Sequence, residues 1–325
     1  AERNSVDMAT TGLQVSHLCL GTMTLGKEAD REASTAIYRR CREAGINFID
    51  CANVYASGES ERILGELTAG ERGELILTSK VGGVMGQGPN REGLSRRHIL
   101  QECEASLRRL GTEWVDVYFA HRFDARVPVE ESLRAFDTLV QQGKVRYLGV
   151  SNWAAWQIAR ALGTSALCGL SAFRVLQPMY SIVKRQAEVE LLPLALDAGM
   201  GVITYSPLGG GLLTGKYGAT PAPGSGRLSE NRMYTRRYAD AWMFEAAQGL
   251  KQIAEETGHS PVSLAVAWAA RHPAVTCPIV GARNLEQLEP ALKATDIDLP
   301  PDFYARLCAL APAPPPATDR TEERA

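Results

Sequence analysis

Residues 45–66 read GINFIDCANVYASGESERILGE. Within them a short apolar run, Asn47–Ile49, stops at Asp50. A brief apolar, β-branched segment ended by a polar residue and followed by an amphipathic stretch is how a buried strand of a parallel sheet is written. The same signature recurs along the chain at Leu18–Leu20, Leu75–Thr78, Val115–Phe119, Tyr147–Val150, Val175–Leu176, Gly201–Thr204 and Thr276–Ile279. Counted between residues near the strand ends (20, 49, 78, 119, 149, 176, 204 and 279), the intervals are 29, 29, 41, 30, 27, 28 and 75. Apart from the last, that is the ~30-residue spacing of a β-strand, crossover helix, β-strand unit.

The segments between are helical in pattern. Small and apolar residues of 36–44 fall one helical turn apart before Gly45, and similar stretches run over 97–110, 130–142 and 188–198 before Gly111, Gly143 and Gly199. Glycine just past the last periodic residue is a stop signal. Eight strands alternating with helices predict a closed (β/α)8 TIM barrel over residues 1–312. An open dinucleotide-binding sheet would carry GxGxxG after its first strand, and here that turn reads GTMTLG at 21–26. The 325 residues are then one barrel with insertions. The surplus lies in the last interval, where Gly209–Tyr238 reads as a mobile cofactor loop followed by helices over 238–257 and 261–271. Helices follow over 284–294 and 301–310, and 313–325 is a Pro-rich charged tail.

Composition narrows the function. The 35 basic and 37 acidic residues nearly cancel, and the basic runs are short pairs such as Arg96-Arg97, so no nucleic-acid partner is expected. Seven cysteines without CxxC spacing read as reduced thiols. Five histidines without HExxH spacing predict no metal. No window approaches the ~18 apolar residues of a membrane span, and the first residues lack a signal-peptide core, so a cytoplasmic location is the default expectation. No coiled-coil or interface motif sets an oligomeric state.

Active sites of such barrels sit at the carboxyl ends of the strands. There the chain places Asp50, Lys80 and His121 on consecutive strands, with Tyr55 five residues past Asp50. Neighbouring strands are ~4.8 Å apart, close enough for these four to meet. Each alone has an ordinary structural explanation. Together they are harder to dismiss, because burying Asp50 and Lys80 is costly unless they pair. A cation beside a phenol is expected to lower the Tyr55 pKa from ~10 toward the range of proton exchange at neutral pH, which suits a carbonyl becoming an alkoxide.

With these residues in place the chain resembles an aldo-keto reductase over nearly its whole length. GINFIDCANVYASGESERILGE, SKVG at 79–82, HRFD at 121–124, GVSN at 149–152, QPMYS at 177–181, YSPLGGGLLTGKY at 205–217 and PIVGARNLEQLE at 278–289 match that family's motifs in order. The resemblance implies an NADP(H)-dependent oxidoreductase acting on a small carbonyl or alcohol substrate, with Tyr55 the proton donor, Lys80 and Asp50 tuning it, and His121 orienting the carbonyl. It implies a cofactor held by Thr22, Met23 and Asp50, by Ser151, Asn152 and Gln177 at the carboxamide, and by Tyr205 stacked on the ring. Ser206, Pro207, Leu208, Gly209, Gly211 and Lys216 would fold over the pyrophosphate. Ile279, Gly281, Ala282, Arg283 and Gln287 would hold the adenosine end, with Arg283 suited to a 2′-phosphate. Cys51 and Ala56 replace a frequent Thr and Gly, and Ala291 stands where relatives often carry an Asn that contacts adenine. Selectivity is expected from loops over the mouth, with residues near Met23, Tyr55, 84–90, Phe123 and Trp153 and the C-terminal segments.

Three other readings compete. GGLLTGKY at 210–217 nearly matches a phosphate loop, but Tyr217 takes the place of the small hydroxyl that would hold magnesium, and Pro221 and Pro223 break the helix that should follow. Lys80 could serve as a Schiff-base nucleophile in a barrel aldolase, which its pairing with Asp50 opposes. An NADP(H)-binding regulatory or sensor subunit with little turnover would carry the same motifs.

Overall fold

The computed structural model describes residues 5–218, 228 and 231–323. Eight parallel strands close into a barrel: β3 (Cys19–Gly21), β4 (Phe48–Asp50), β5 (Ile76–Val81), β6 (Val115–Ala120), β7 (Val145–Ser151), β8 (Phe173–Gln177), β9 (Gly201–Thr204) and β10 (Cys277–Val280). They pair in chain order, and β10 returns to β3 through Ile279 opposite Cys19 and Val280 opposite Leu20. This is the expected (β/α)8 barrel.

Helices α1 (Arg31–Glu43), α2 (Glu59–Thr68), α3 (Arg96–Leu110), α4 (Val129–Gln141), α5 (Ala155–Cys168) and α6 (Leu191–Ala198) connect successive strands from β3 to β9. Their starts are written locally. The Asp30 side chain accepts from the Ala33 amide to begin α1, and Ser95 accepts from His98 to begin α3, each satisfying a donor that the first turn leaves free. Before β10 come α7 (Arg232–Arg237), α8 (Ala241–Thr257) and α9 (Pro261–Arg271), and after it α10 (Leu285–Leu292) and α11 (Pro301–Cys308).

The apolar interior falls into two layers. Cys19, Phe48, Val117, Phe119, Val175, Ile203 and Cys277 fill the barrel, and a larger cluster packs between barrel and helices. Gly149 on β7 faces the Phe119 ring so closely that a Cβ there would lie 2.4 Å from it. Only glycine leaves room for this aromatic inside the barrel.

Several expectations need correction. The chain opens with an antiparallel hairpin, β1 (Val6–Asp7) and β2 (Gln14–Val15). It carries Met8 and Val15 into the barrel's inner cluster and closes its lower end. Strands of two residues are too short to show alternation, which is why the hairpin was not anticipated. The helix expected from Tyr238 begins at Ala241, because Tyr238 ends α7 and Asp240 is extended. The loop expected over 209–238 contains a 3-10 helix at Gly209–Thr214 and α7; residues 219–227, 229 and 230 of it lie outside the described residues. Within the expected tail, Thr321–Glu323 forms one 3-10 turn. No helix among the described residues is long and apolar enough to cross a membrane.

Candidate active site

At the carboxyl end of the barrel, alternation along β5 sends Thr78 and Lys80 one way and Ser79 the other. Ser79 donates to Glu61 of α2 at 2.7 Å, while Thr78 and Lys80 reach Asp50 at the end of β4. Asp50 is 2% exposed and Lys80 fully buried. The Asp50 carboxylate accepts from Thr78 at 2.6 Å and Gln177 at 3.0 Å on Oδ1, and from Lys80 at 2.7 Å on Oδ2. Lys80 Nζ donates to Asp50, to the Cys51 carbonyl at 2.8 Å and to the Tyr55 hydroxyl at 3.1 Å. An ammonium has three protons, and each has an acceptor here. The desolvation of both charges is thus met by short, saturated hydrogen bonding.

Tyr55 is delivered by a turn that ordinary residues avoid. Ala56 and Ser57 have φ of 47° and 52°, the left-handed region where a Cβ is strained. The Tyr55 hydroxyl lies against Lys80, and its ring meets the His121 ring edge-on, with centroids 6.1 Å apart. His121 follows β6, its amide donating to the Val81 carbonyl and its own carbonyl accepting from Asn152. Asp50, Tyr55, Lys80 and His121 therefore stand together.

Burial decides the protonation states. It pushes Tyr55 up to about 12, against the opposing pull of Lys80. The expectation that Lys80 would bring the phenol toward neutrality is overturned, because burial outweighs the neighbouring cation. Burial, with Lys80 and Arg122 adding repulsion, pushes His121 down to about 3. Burial also works against the Lys80 ammonium, but Asp50 and Tyr55 hold its pKa above the usual lysine value. At neutral pH the cluster is a protonated phenol, a neutral imidazole and a lysine–aspartate pair.

The other expected residues form the rim. Thr22 donates to the Asp50 carbonyl, and Ser151 to the Gln177 carbonyl. Asn152, at φ 59°, accepts from the Tyr205 hydroxyl at 2.5 Å. Ser206 also has a positive φ. Pro207 is buried, Leu208 is half-buried, and Gly209 and Gly211 belong to the following 3-10 turn. Lys216 is exposed, with its ammonium 5.2 Å from the Tyr217 ring centroid. Across the rim, Thr24 donates to the Ala282 carbonyl and the Arg283 amide to Gln287 Oε1. Gly281 is exposed and Ile279 half-buried. The Arg283 guanidinium has no ion-pair partner among the described residues.

Two sequence expectations fare differently. Met23 and Val84 are exposed at the mouth. Trp153 is 4% exposed and packs edge-on against Phe123 and Phe173, with ring centroids at 5.0 and 5.3 Å. Thr78 was missed, although its place two residues before Lys80 on a strand puts it on the same face. Among the described residues no group of three or more His, Cys, Asp or Glu side chains could hold a metal ion.

Comparison with known proteins adds a family. The aldo/keto reductase family profile matches residues 17–312. The chain is 38% identical over 300 residues to a probable voltage-gated potassium channel subunit beta of Arabidopsis thaliana, covering 90% of each protein. It is 37% identical over 325 residues to a protein of the same description in Oryza sativa subsp. japonica, covering 96% of this chain and 98% of that one. The uncharacterized oxidoreductase YrpG of Bacillus subtilis (strain 168) is 35% identical over 323 residues, 94% of this chain and 95% of the relative.

Proposed function

The chain belongs to the aldo/keto reductase family, and on that footing we propose that it is an NADP(H)-dependent oxidoreductase interconverting a small aldehyde or ketone and its alcohol. The observation that carries this reading is the Lys80 ammonium held between Asp50, the Cys51 carbonyl and the Tyr55 hydroxyl. When bound, the nicotinamide supplies or accepts the hydride. Tyr55 carries the proton that a reduced carbonyl oxygen requires. As that proton leaves, the phenolate forms 3.1 Å from a fixed ammonium, a charge already in place before reaction. Neutral His121, beside Tyr55, donates a hydrogen bond to the carbonyl oxygen and orients it.

Features of the rim support this cofactor. Gln177 spends its amide nitrogen on Asp50, leaving its oxygen to receive a carboxamide. Leu208 at φ −93° is followed by Gly209 at φ 60°, a right-to-left alternation of the kind that turns successive main-chain amides toward an anion. That Arg283 lacks an ion-pair partner among the described residues supports its reading as the partner of the 2′-phosphate. Arg283→Ala is accordingly expected to weaken NADPH binding by roughly 10- to 100-fold, the worth of a charge-assisted hydrogen bond or two, with NADH little changed. Fluorescence titration with both cofactors checks this, and equal losses would remove Arg283 from phosphate recognition.

The protonation states give a second test. His121 stays neutral above about 3 and Tyr55 stays protonated below about 12. The reductive rate should therefore be level from about pH 6 to about pH 9, where only the acid form of Tyr55 is needed. A steady-state profile with NADPH reads this directly. An inflection at the ordinary histidine value of about 6.5, absent in His121→Gln, would refute the neutral imidazole. The aldolase reading loses ground because Lys80 has no free lone pair at neutral pH, and borohydride should trap no adduct.

A second reading is supported by the relatives described as potassium channel subunits: an NADP(H)-binding regulatory subunit whose partner is a membrane channel. An aldehyde and ketone panel separates the two. Turnover lost in Tyr55→Phe favours the enzyme, and tight NADPH binding without oxidation favours the subunit.

A further inference from the structure

Outside the barrel, a cavity of about 560 Å³ lies along α3 and the loop after β5. Arg91, Arg97 and Arg108 line it with His98, Glu102 and Glu104. Both carboxylates are already committed. Glu102 pairs with Arg109 at 2.8 Å, and Glu104 pairs with Lys144. Neither of those cations lines the cavity. Arg91, Arg97 and Arg108 have no ion-pair partner among the described residues. The walls therefore carry three guanidinium groups without an ion-pair partner among the described residues, and the volume is within the ~300–1,000 Å³ of small-molecule sites.

We propose that this cavity is a second ligand site, separate from the barrel mouth, that takes an elongated small polyanion bearing several phosphate groups. Arg97 and Arg108 lie three helical turns apart on one face of α3, on the order of 16 Å along its axis. A single phosphate meets one arginine, whereas a chain of phosphates reaches both ends and Arg91 between the loop and the helix. Guanidinium is the side chain whose planar fork matches phosphate oxygens two at a time. Because all three arginines are exposed, each contact alone is weak and screened by salt. Affinity depends on their acting together.

The test is calorimetric titration of inorganic tripolyphosphate into the full chain, with and without saturating NADPH. One saturable site per chain is expected under both conditions, weakened by at least about tenfold in Arg97→Ala/Arg108→Ala, where charge-assisted contacts are lost, and weakened by added salt. NADPH affinity should be the same in that variant as in the parent. No saturable heat at millimolar tripolyphosphate, equal affinity in the double variant, or complete displacement by NADPH would each overturn the proposal. If NADPH itself does not bind, the cofactor reading fails, and the titration without NADPH still decides the cavity.

Discussion

Tyr55→Phe is expected to remove most carbonyl reduction, by roughly 10²- to 10⁴-fold, the usual worth of a positioned proton donor, while leaving NADPH binding intact. The substitution is narrow. Phenylalanine keeps the ring that meets His121 edge-on and lies 4.8 Å from the Lys80 ammonium. What disappears is the hydroxyl, one of three acceptors around Lys80. Decay of the nicotinamide absorbance with an aldehyde gives the rate, and fluorescence quenching gives the affinity. Turnover equal to that of the parent protein would refute Tyr55 as the proton donor.

Lys80→Met is expected to cost both stability and activity. It leaves Asp50, 2% exposed, without a counter-ion, and breaking one side of a buried pair costs about 3–5 kcal/mol. Thr78 and Gln177 still donate to Asp50, which places the loss toward the lower end of that range. The phenolate also loses its cation. Adding Asp50→Asn removes the stranded charge, so the double variant should recover part of the stability but none of the turnover. Urea denaturation of the single and double variants, alongside their rates, separates the two effects. A loss in Lys80→Met no larger than the ~0.5 kcal/mol of an ordinary surface change would sink the ion-pair account.

Much of this was legible beforehand, for physical reasons. Buried parallel strands are short apolar runs, so all eight stood out. Asp50, Lys80 and His121 each close such a run, so their convergence followed from strand order. The sign of the Tyr55 shift did not. Sequence names the cation beside the phenol but not the depth of burial, and here depth prevails. The packing of Trp153 was not legible for a related reason. Trp153 follows a rim residue, Asn152, yet the Phe123 and Phe173 rings fold it inward, a packing choice no linear pattern encodes. The Glu61–Arg109 pair joining α2 to α3 is equally invisible, because its partners meet only after both helices dock on the barrel.

The seam between β10 and β3 carries a consequence for biosynthesis. It joins residues 19–20 to residues 279–280, so a ribosome must release the chain through residue 280 before the sheet loses its open edges. Until then β3 offers unpaired main-chain groups to any extended neighbour, a known route to aggregation. The two halves of the rim mature at different times. Asp50, Tyr55 and Lys80 can assemble from early strands, whereas Thr24 meets Ala282 only after the last strand emerges. A nascent chain stalled before β10 would thus hold Tyr55 and Lys80 yet lack the segment through Arg283, so the proposed cofactor site stays incomplete until β10 has emerged.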